Sequence, residues 1–467
     1  MKRLSPLVHL ANNPLSFLGV LLTTTGGVAW LFVLPVHVRG GAVHPYLGIL
    51  FFLALPLLFF TGLALIPIGI LLRRRRERRR GVFPQEFLPL GWSNPRFRRL
   101  VIFVALATGA NIIIGGHFTY AAVSYMDSVN FCGLACHTVM KPQFTAYQSS
   151  PHFRVGCVSC HIGEGASWFV RSKLSGVRQV FAVTLNSYSR PIPTPVHDLR
   201  PARETCETCH WPQKFGGHRL RIIPKFAEDE ANTATKTVLL MRIGGGPDGG
   251  GIHGVHLGPG VAIEYASDRS RQNIPWVRYT DSSGRATEFA AQGWNRAELG
   301  KLERRVMDCV DCHNRPTHTF ELPEPALDKA LAAGRISPSL PMIKKEGSRI
   351  LKTESAGRIP AALDRFYARH YPAVYQGRRE EIRRAGQALV EIFNRNVFPE
   401  MKVAWGAYPN NIGHTYVPGC FRCHDGSHAS ATGKTISQDC NSCHQLLAVE
   451  EASPKILSEL GVVGGGL

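Results

Sequence analysis

The chain has no cysteine that stands alone. All twelve fall in pairs with a histidine directly behind the second member, which leaves none over for a disulfide framework. The fixed histidine also argues against mixed Cys/His zinc sites. Acidic residues are scarce: 34 Asp and Glu face 54 Lys and Arg, a formal charge of +20. Seven of those arginines sit in one run, RRRRERRR (Arg73 to Arg80), and no nucleic-acid motif accompanies the excess, so no nucleic-acid partner is expected. Charge of either sign is missing from three long stretches, Pro14 to Val36, Tyr46 to Leu72 and Leu100 to Tyr125. The first has no small-x-small cleavage site behind it and too long an apolar core for a signal peptide.

Five of the cysteine pairs read C-x-x-C-H: Cys157/Cys160/His161, Cys206/Cys209/His210, Cys309/Cys312/His313, Cys420/Cys423/His424 and Cys440/Cys443/His444. The spacing is that of covalent haem attachment, with two thioethers to the vinyl groups and the histidine as proximal iron ligand. The first pair, Cys132 and Cys136 with His137, has one residue more between its thiols. Both thiols and the histidine are present, so it is expected to hold a sixth c-type haem on a looser peptide.

The apolar stretches predict three transmembrane helices. Only Arg39 lies between the first two, whereas ten arginines lie between the second and third. The positive-inside rule then puts the N-terminus in the cytoplasm and everything beyond residue 126 on the periplasmic face of a bacterial inner membrane. Haem is attached on that same side. The expected fold is mainly α with few regular elements: residues 1–126 as a three-helix membrane region, 127–218 packed around haems 1 to 3, 219–300 as a small β-rich insertion, and 301–467 around haems 4 to 6. Strand-like composition marks Lys236 to Ile243, Gly260 to Ala266 and Ile274 to Thr280; helical periodicity marks Ala361 to Val397.

Nineteen histidines, six of them proximal, supply enough second ligands for every haem. His152, His318, His414 and His428 are the expected distal ligands, with one of His253 and His256, His256 being preferred. His318 and His428 follow a proximal histidine so closely that each is expected to serve a neighbouring haem. His117, inside the third stretch, suits a quinone cavity or burial near the interface better than a non-covalent b-type haem.

The segment CHTVMKPQFTAYQSSPHFRVGCVSCHIG (Cys136 to Gly163) resembles the haem domain of NapC/NirT-type cytochromes. The continuations WFVRSKLSG and LRPARETCETCHWPQKF are similar to longer inner-membrane members, of the ImcH type. The resemblance implies a membrane-anchored quinol dehydrogenase. In it, Met140 matches an axial ligand of the first haem, His152 a distal ligand of a later one, and Lys173 a lysine at the quinol site. The family's acidic residue has no counterpart between Lys173 and Asp198; Glu164 is the candidate replacement. The implied reaction oxidises menaquinol or ubiquinol and delivers electrons to a soluble or outer-membrane cytochrome or reductase. A relay subunit without its own quinol site and a multihaem reductase stand as alternatives.

Overall fold

A computed structural model describes residues 5–11, 13–38, 54–83, scattered positions between 102 and 121, 123–135, 137–163, 166–196, 199–211, 216–244 and 250–462. The chain divides into two compact units, Met1–His137 and Thr138–Leu467.

In the first unit a short helix α1 (Ser5–Ala11) precedes α2 (Pro14–Val38) and α3 (Leu55–Arg79). The apolar run of α3 continues into arginines at its last turn, where cations meet the negative end of the helix dipole. α2 and α3 run antiparallel and approach closely through small residues. A Cβ at Gly62 would sit 2.7 Å from the Gly19 carbonyl oxygen, and one at Gly69 would sit 2.6 Å from Ser16 Oγ. Ser16 Oγ donates across the pair to the Ile66 carbonyl at 3.0 Å. Such contacts replace hydrophobic burial where lipid is the solvent. Glu77, the single acid of the arginine run, binds Arg73 Nε at 2.7 Å and His9 Nε2 at 3.1 Å, which ties α1 to the end of α3.

Among the described residues α3 alone is long and apolar enough to cross a bilayer. α2 covers the first expected span over 25 residues. The third stretch is described only at scattered helical positions.

The second unit opens with α4 (His137–Gln148, starting at the last residue of the first), α5 (Cys157–His161), α6 (Ala166–Thr184) and α7 (Ala202–Cys206). β1 (Arg219–Phe226), β2 (Ala234–Met241), α8 (Gly251–Leu257), β3 (Ala262–Ser267), β4 (Trp276–Thr280), β5 (Ala286–Ala290) and β6 (Glu303–Val306) follow. Then come α9 (Cys309–Cys312), α10 (Pro323–Ala332), α11 (Ile343–Thr353), α12 (Ile359–His370), α13 (Pro372–Gly377), α14 (Arg379–Asn396) and β7 (His444–Glu451). The strands form two antiparallel sheets, ordered β1-β2-β7 and β5-β4-β3-β6.

Two expectations need correction. The fold is about half helical rather than mainly α with few regular elements, and its sheet is not confined to 219–300. β6 lies beyond that boundary, and β7 returns from behind the last haem motif to pair with β2. Such distant pairing has no local sequence signal. The segment GIHGVH, which holds His253 and His256, forms helix α8. A Cβ on Gly244 (φ +57°) would sit 1.9 Å from the Gly250 carbonyl oxygen, so only glycine permits the tight return that seats α8 at the end of β2.

Helices α10 to α14 enclose a conventional apolar core of Leu327, Leu340, Ile343, Ile350, Leu363, Tyr367, Leu389 and Ile392, all buried. Inside it Lys344 Nζ binds Asp328 Oδ1 at 2.5 Å and donates to the Glu324 carbonyl at 2.8 Å. Asp328 Oδ1 also accepts from Phe226 N at 3.1 Å, which ties β1 to this helical cluster. Burial raises the Asp328 carboxyl above its usual range against the pull of the lysine. Removing one partner leaves an unpaired buried charge. Lys344→Met is therefore expected to cost about 3–5 kcal/mol in denaturant unfolding, and the double variant Lys344→Met/Asp328→Leu to recover most of it.

Candidate haem-binding site

The motif segments are braced by one another. Asp308 caps α9 by accepting from Cys309 N at 2.6 Å, and Asp311 Oδ2 accepts from Asp308 N at 2.6 Å to close a capping box. The other Asp308 oxygen accepts from Ala202 N at 2.8 Å and Arg203 N at 3.3 Å, the first turn of α7. One carboxylate thus fixes the third and fourth motifs together. Asp311, 2% exposed, is held at its remaining oxygen by Tyr265 Oη at 2.6 Å and Arg305 Nε at 3.0 Å. Arg422, inside the fifth motif, donates to the Asp311 carbonyl at 2.6 Å and to the Arg271 carbonyl at 2.7 Å.

The thiols reveal the order of the motifs. Burial pushes the Cys160 thiol up, and the nearby Cys206 and Cys209 add to it. A hydrogen bond to Cys206, followed by burial, raises the Cys309 thiol. Burial takes Cys312 up to about 11, with a contribution from Cys420, and takes Cys443 up with Cys420 again beside it. From the second to the sixth, each motif therefore has a thiol near one of the next motif in sequence.

Each of their proximal histidines faces a second histidine. Ring centroids are 6.1 Å apart for His161 and His318, 6.0 Å for His210 and His152, and 6.3 Å for His313 and His253. They are 5.9 Å apart for His424 and His256, and 6.2 Å for His444 and His414. Two metal–nitrogen bonds of about 2 Å plus the inner half of each ring give about 6 Å, the separation that two imidazoles on one metal ion require.

The hydrogen bonds suit that use. His318 Nδ1 donates to the Gln143 carbonyl at 2.9 Å, His152 Nδ1 to the Pro316 carbonyl at 3.0 Å, and His256 Nδ1 to the Ile252 carbonyl at 2.7 Å. His424 Nδ1 donates to the Ser437 carbonyl at 2.6 Å. A proton fixed on Nδ1 leaves the lone pair on Nε2, the arrangement metal-binding histidines adopt. Burial lowers His161, His256 and His313 and takes His318 down to about 4, so these imidazoles stay neutral at physiological pH. His414 is further held by a stacked ring contact with Phe421 at 4.2 Å.

His428 departs from expectation. It is buried, its Nδ1 meets Asp425 Oδ1 at 2.8 Å, and its Nε2 meets the Ile274 carbonyl at 2.7 Å. Both nitrogens are engaged by protein oxygens, so neither is presented to a metal. It pins the turn after the fifth motif to Ile274, just ahead of β4. Sequence reasoning also allowed only one ligand from GIHGVH, whereas α8 presents both: His253 faces His313 and His256 faces His424. The signal was available, since an i, i+3 pair shares one helix face. Met140 lies half-buried on α4, three residues after His137. Lys173 falls within α6, but its side chain, those of Cys136 and His137, and all of Glu164 lie outside the described residues.

Residues 95–192 match the NapC/NirT cytochrome c family, N-terminal region. The chain is 42% identical to the cytochrome c-type protein ImcH of Geobacter sulfurreducens over 447 residues, 93% of this chain and 88% of that protein. The chain belongs to the NapC/NirT family of c-type cytochromes. A shorter family relative, the cytochrome c-type protein NrfH of Wolinella succinogenes, is 30% identical over 117 residues, 24% of this chain and 64% of NrfH. No solved structure matches this chain. As a NapC/NirT cytochrome it is a multihaem electron-transport protein with covalently bound c-type haem, and α3 is consistent with a membrane anchor in this family.

The pairs give a direct test. His318→Ala is expected to convert one low-spin haem signal to high-spin in the electron paramagnetic resonance spectrum. His428→Ala is expected to leave the low-spin signals intact while lowering the thermal midpoint.

Proposed function

We propose that this cytochrome oxidises quinol at its membrane end and delivers the electrons outward through six haems. The observation that carries this reading is the set of five histidine pairs. Cys157/Cys160, Cys206/Cys209, Cys309/Cys312, Cys420/Cys423 and Cys440/Cys443 would anchor five haems. His161 with His318, His210 with His152, His313 with His253, His424 with His256 and His444 with His414 would be their axial ligands. When bound, each haem supplies reversible one-electron redox chemistry. Paired imidazoles leave no open face for a substrate, which favours electron transfer over reduction of a small oxyanion.

The sixth haem belongs to Cys132, Cys136 and His137. The other five pairs take up His318, His152, His253, His256 and His414, and Met140 is the second candidate donor for this haem. One helical turn after His137 on the same side of α4, Met140 would offer a softer donor in place of that histidine rather than on the opposite face of the haem. The motif begins a few residues beyond the third apolar stretch, so the chain itself holds it near the lipid. Lys173 would hydrogen-bond a quinol oxygen, and Glu164 would take a proton. The setting is the bacterial inner membrane, with three spans, a cytoplasmic N-terminus and the haem-bearing unit in the periplasm. Menaquinol or ubiquinol is the donor, and a soluble or outer-membrane redox protein is the acceptor.

Purified protein mixed with a menaquinol analogue should show its haem absorption bands shift to the reduced form, and Lys173→Ala should slow that reduction by about tenfold or more, about 1.4 kcal/mol in barrier. Full reduction by dithionite with none by quinol would refute the quinol site and leave an electron relay.

A further inference from the structure

Helix α6 carries an apolar stripe that the second unit does not cover. Leu174 is 67% exposed, Val177 49%, Phe181 62% and Leu185, just past the helix end, 72%. Their spacing of three, four and four residues places them on one face. Over this stretch the stripe is about 16 Å long at the α-helical rise. The opposite face is already satisfied: Ser172, Gly176, Val180 and Val183 are half-buried, and Val183 packs against the cluster of Val139, Phe398, Met401 and Tyr408. Arg171 and Arg178 are exposed along one border of the stripe, and Arg171 stands over the Trp168 ring at 5.1 Å. No Asp or Glu occurs anywhere in the helix.

Soluble surfaces seldom leave such a stripe to water. An apolar face bordered by arginines and an aromatic ring, on a helix free of acidic residues, matches the layering of acyl chains beneath anionic phosphates. The same chain also carries α3, a helix fit to cross a bilayer, so a lipid surface is always at hand.

We propose that α6 lies in the lipid–water interface of the outer leaflet. Leu174, Val177, Phe181 and Leu185 sit among the acyl chains, and Arg171 and Arg178 at the phosphates. The helix is then a second membrane contact, which holds the haem-bearing unit down on the surface rather than free on its tether. This does not depend on whether quinol is the electron donor.

The test uses the full haem-loaded chain in nanodiscs of phosphatidylethanolamine and phosphatidylglycerol doped with a phospholipid bearing a diazirine at mid-acyl depth. After illumination, peptide mass spectrometry should find label on the peptides covering 174–185 and on α3, but not on α12 or α14. Leu174→Glu/Phe181→Glu should cut the α6 label by about fivefold or more with α3 label and haem spectrum unchanged. Labelled α3 with unlabelled α6 in the native chain would overturn the proposal. That result would mean that a haem, another part of the chain or a second protein covers the stripe. Label on α6 that ignores the two glutamates would overturn it equally. The native-chain measurement decides the matter even if the double variant does not fold.

Discussion

The second unit of this molecule is organised by a gap. Two imidazoles must stand about 6 Å apart, centre to centre, to share one metal ion, and five such gaps recur here. In nearly every case the partners come from different elements. His152 lies in the turn after α4 but faces the third motif, while His318 lies beyond the fourth motif and faces the second. Each is aimed by a carbonyl from the other's segment, Pro316 for His152 and Gln143 for His318. The two segments clasp one another, and neither histidine is positioned unless both segments are.

Around these gaps the chain uses carboxylates and arginines where most proteins use aliphatic packing. Asp308 serves two helices at once, and Asp311 joins the fourth motif to β3 and, through its carbonyl, to the fifth. Directional bonds of this kind suit short segments that have little apolar surface of their own to bury. The cluster α10 to α14 follows the opposite rule, with a dry core and a single buried ion pair. It stands between the fourth and fifth motifs in sequence and contributes none of the paired histidines. Its Asp328 still reaches β1, so it braces the sheet that the last motif joins through β7.

The sequence was most informative where chemistry demands fixed spacing. The C-x-x-C-H repeats announce haem whatever the fold, because vinyl separation and proximal ligation are local. The supply of histidines likewise suggested second ligands, and the structure sets His152, His318 and His414 each opposite a motif histidine. The sequence neighbourhood misled at His428. Four residues past a proximal histidine it looks like His318, five past its own, yet it lies buried against Ile274 with both nitrogens engaged. Whether a histidine has a free lone pair depends on what folds over it. The helical periodicity from Ala361 to Val397 was a sound guide because α12 and α14 show a dry face at regular intervals. The strands β6 and β7 were not legible, because their partners are remote.

The sequence by itself determined the number of paired-cysteine motifs, the histidine that follows each and the apolar stretches, since each is a property of contiguous residues. Only the tertiary structure decided which second histidine faces which motif, that α8 presents two of them, and that successive motifs lie beside one another. Those are relations between segments far apart in the chain. They are set by capping carboxylates, carbonyl hydrogen bonds and strand pairing, and none of these can be read from spacing alone.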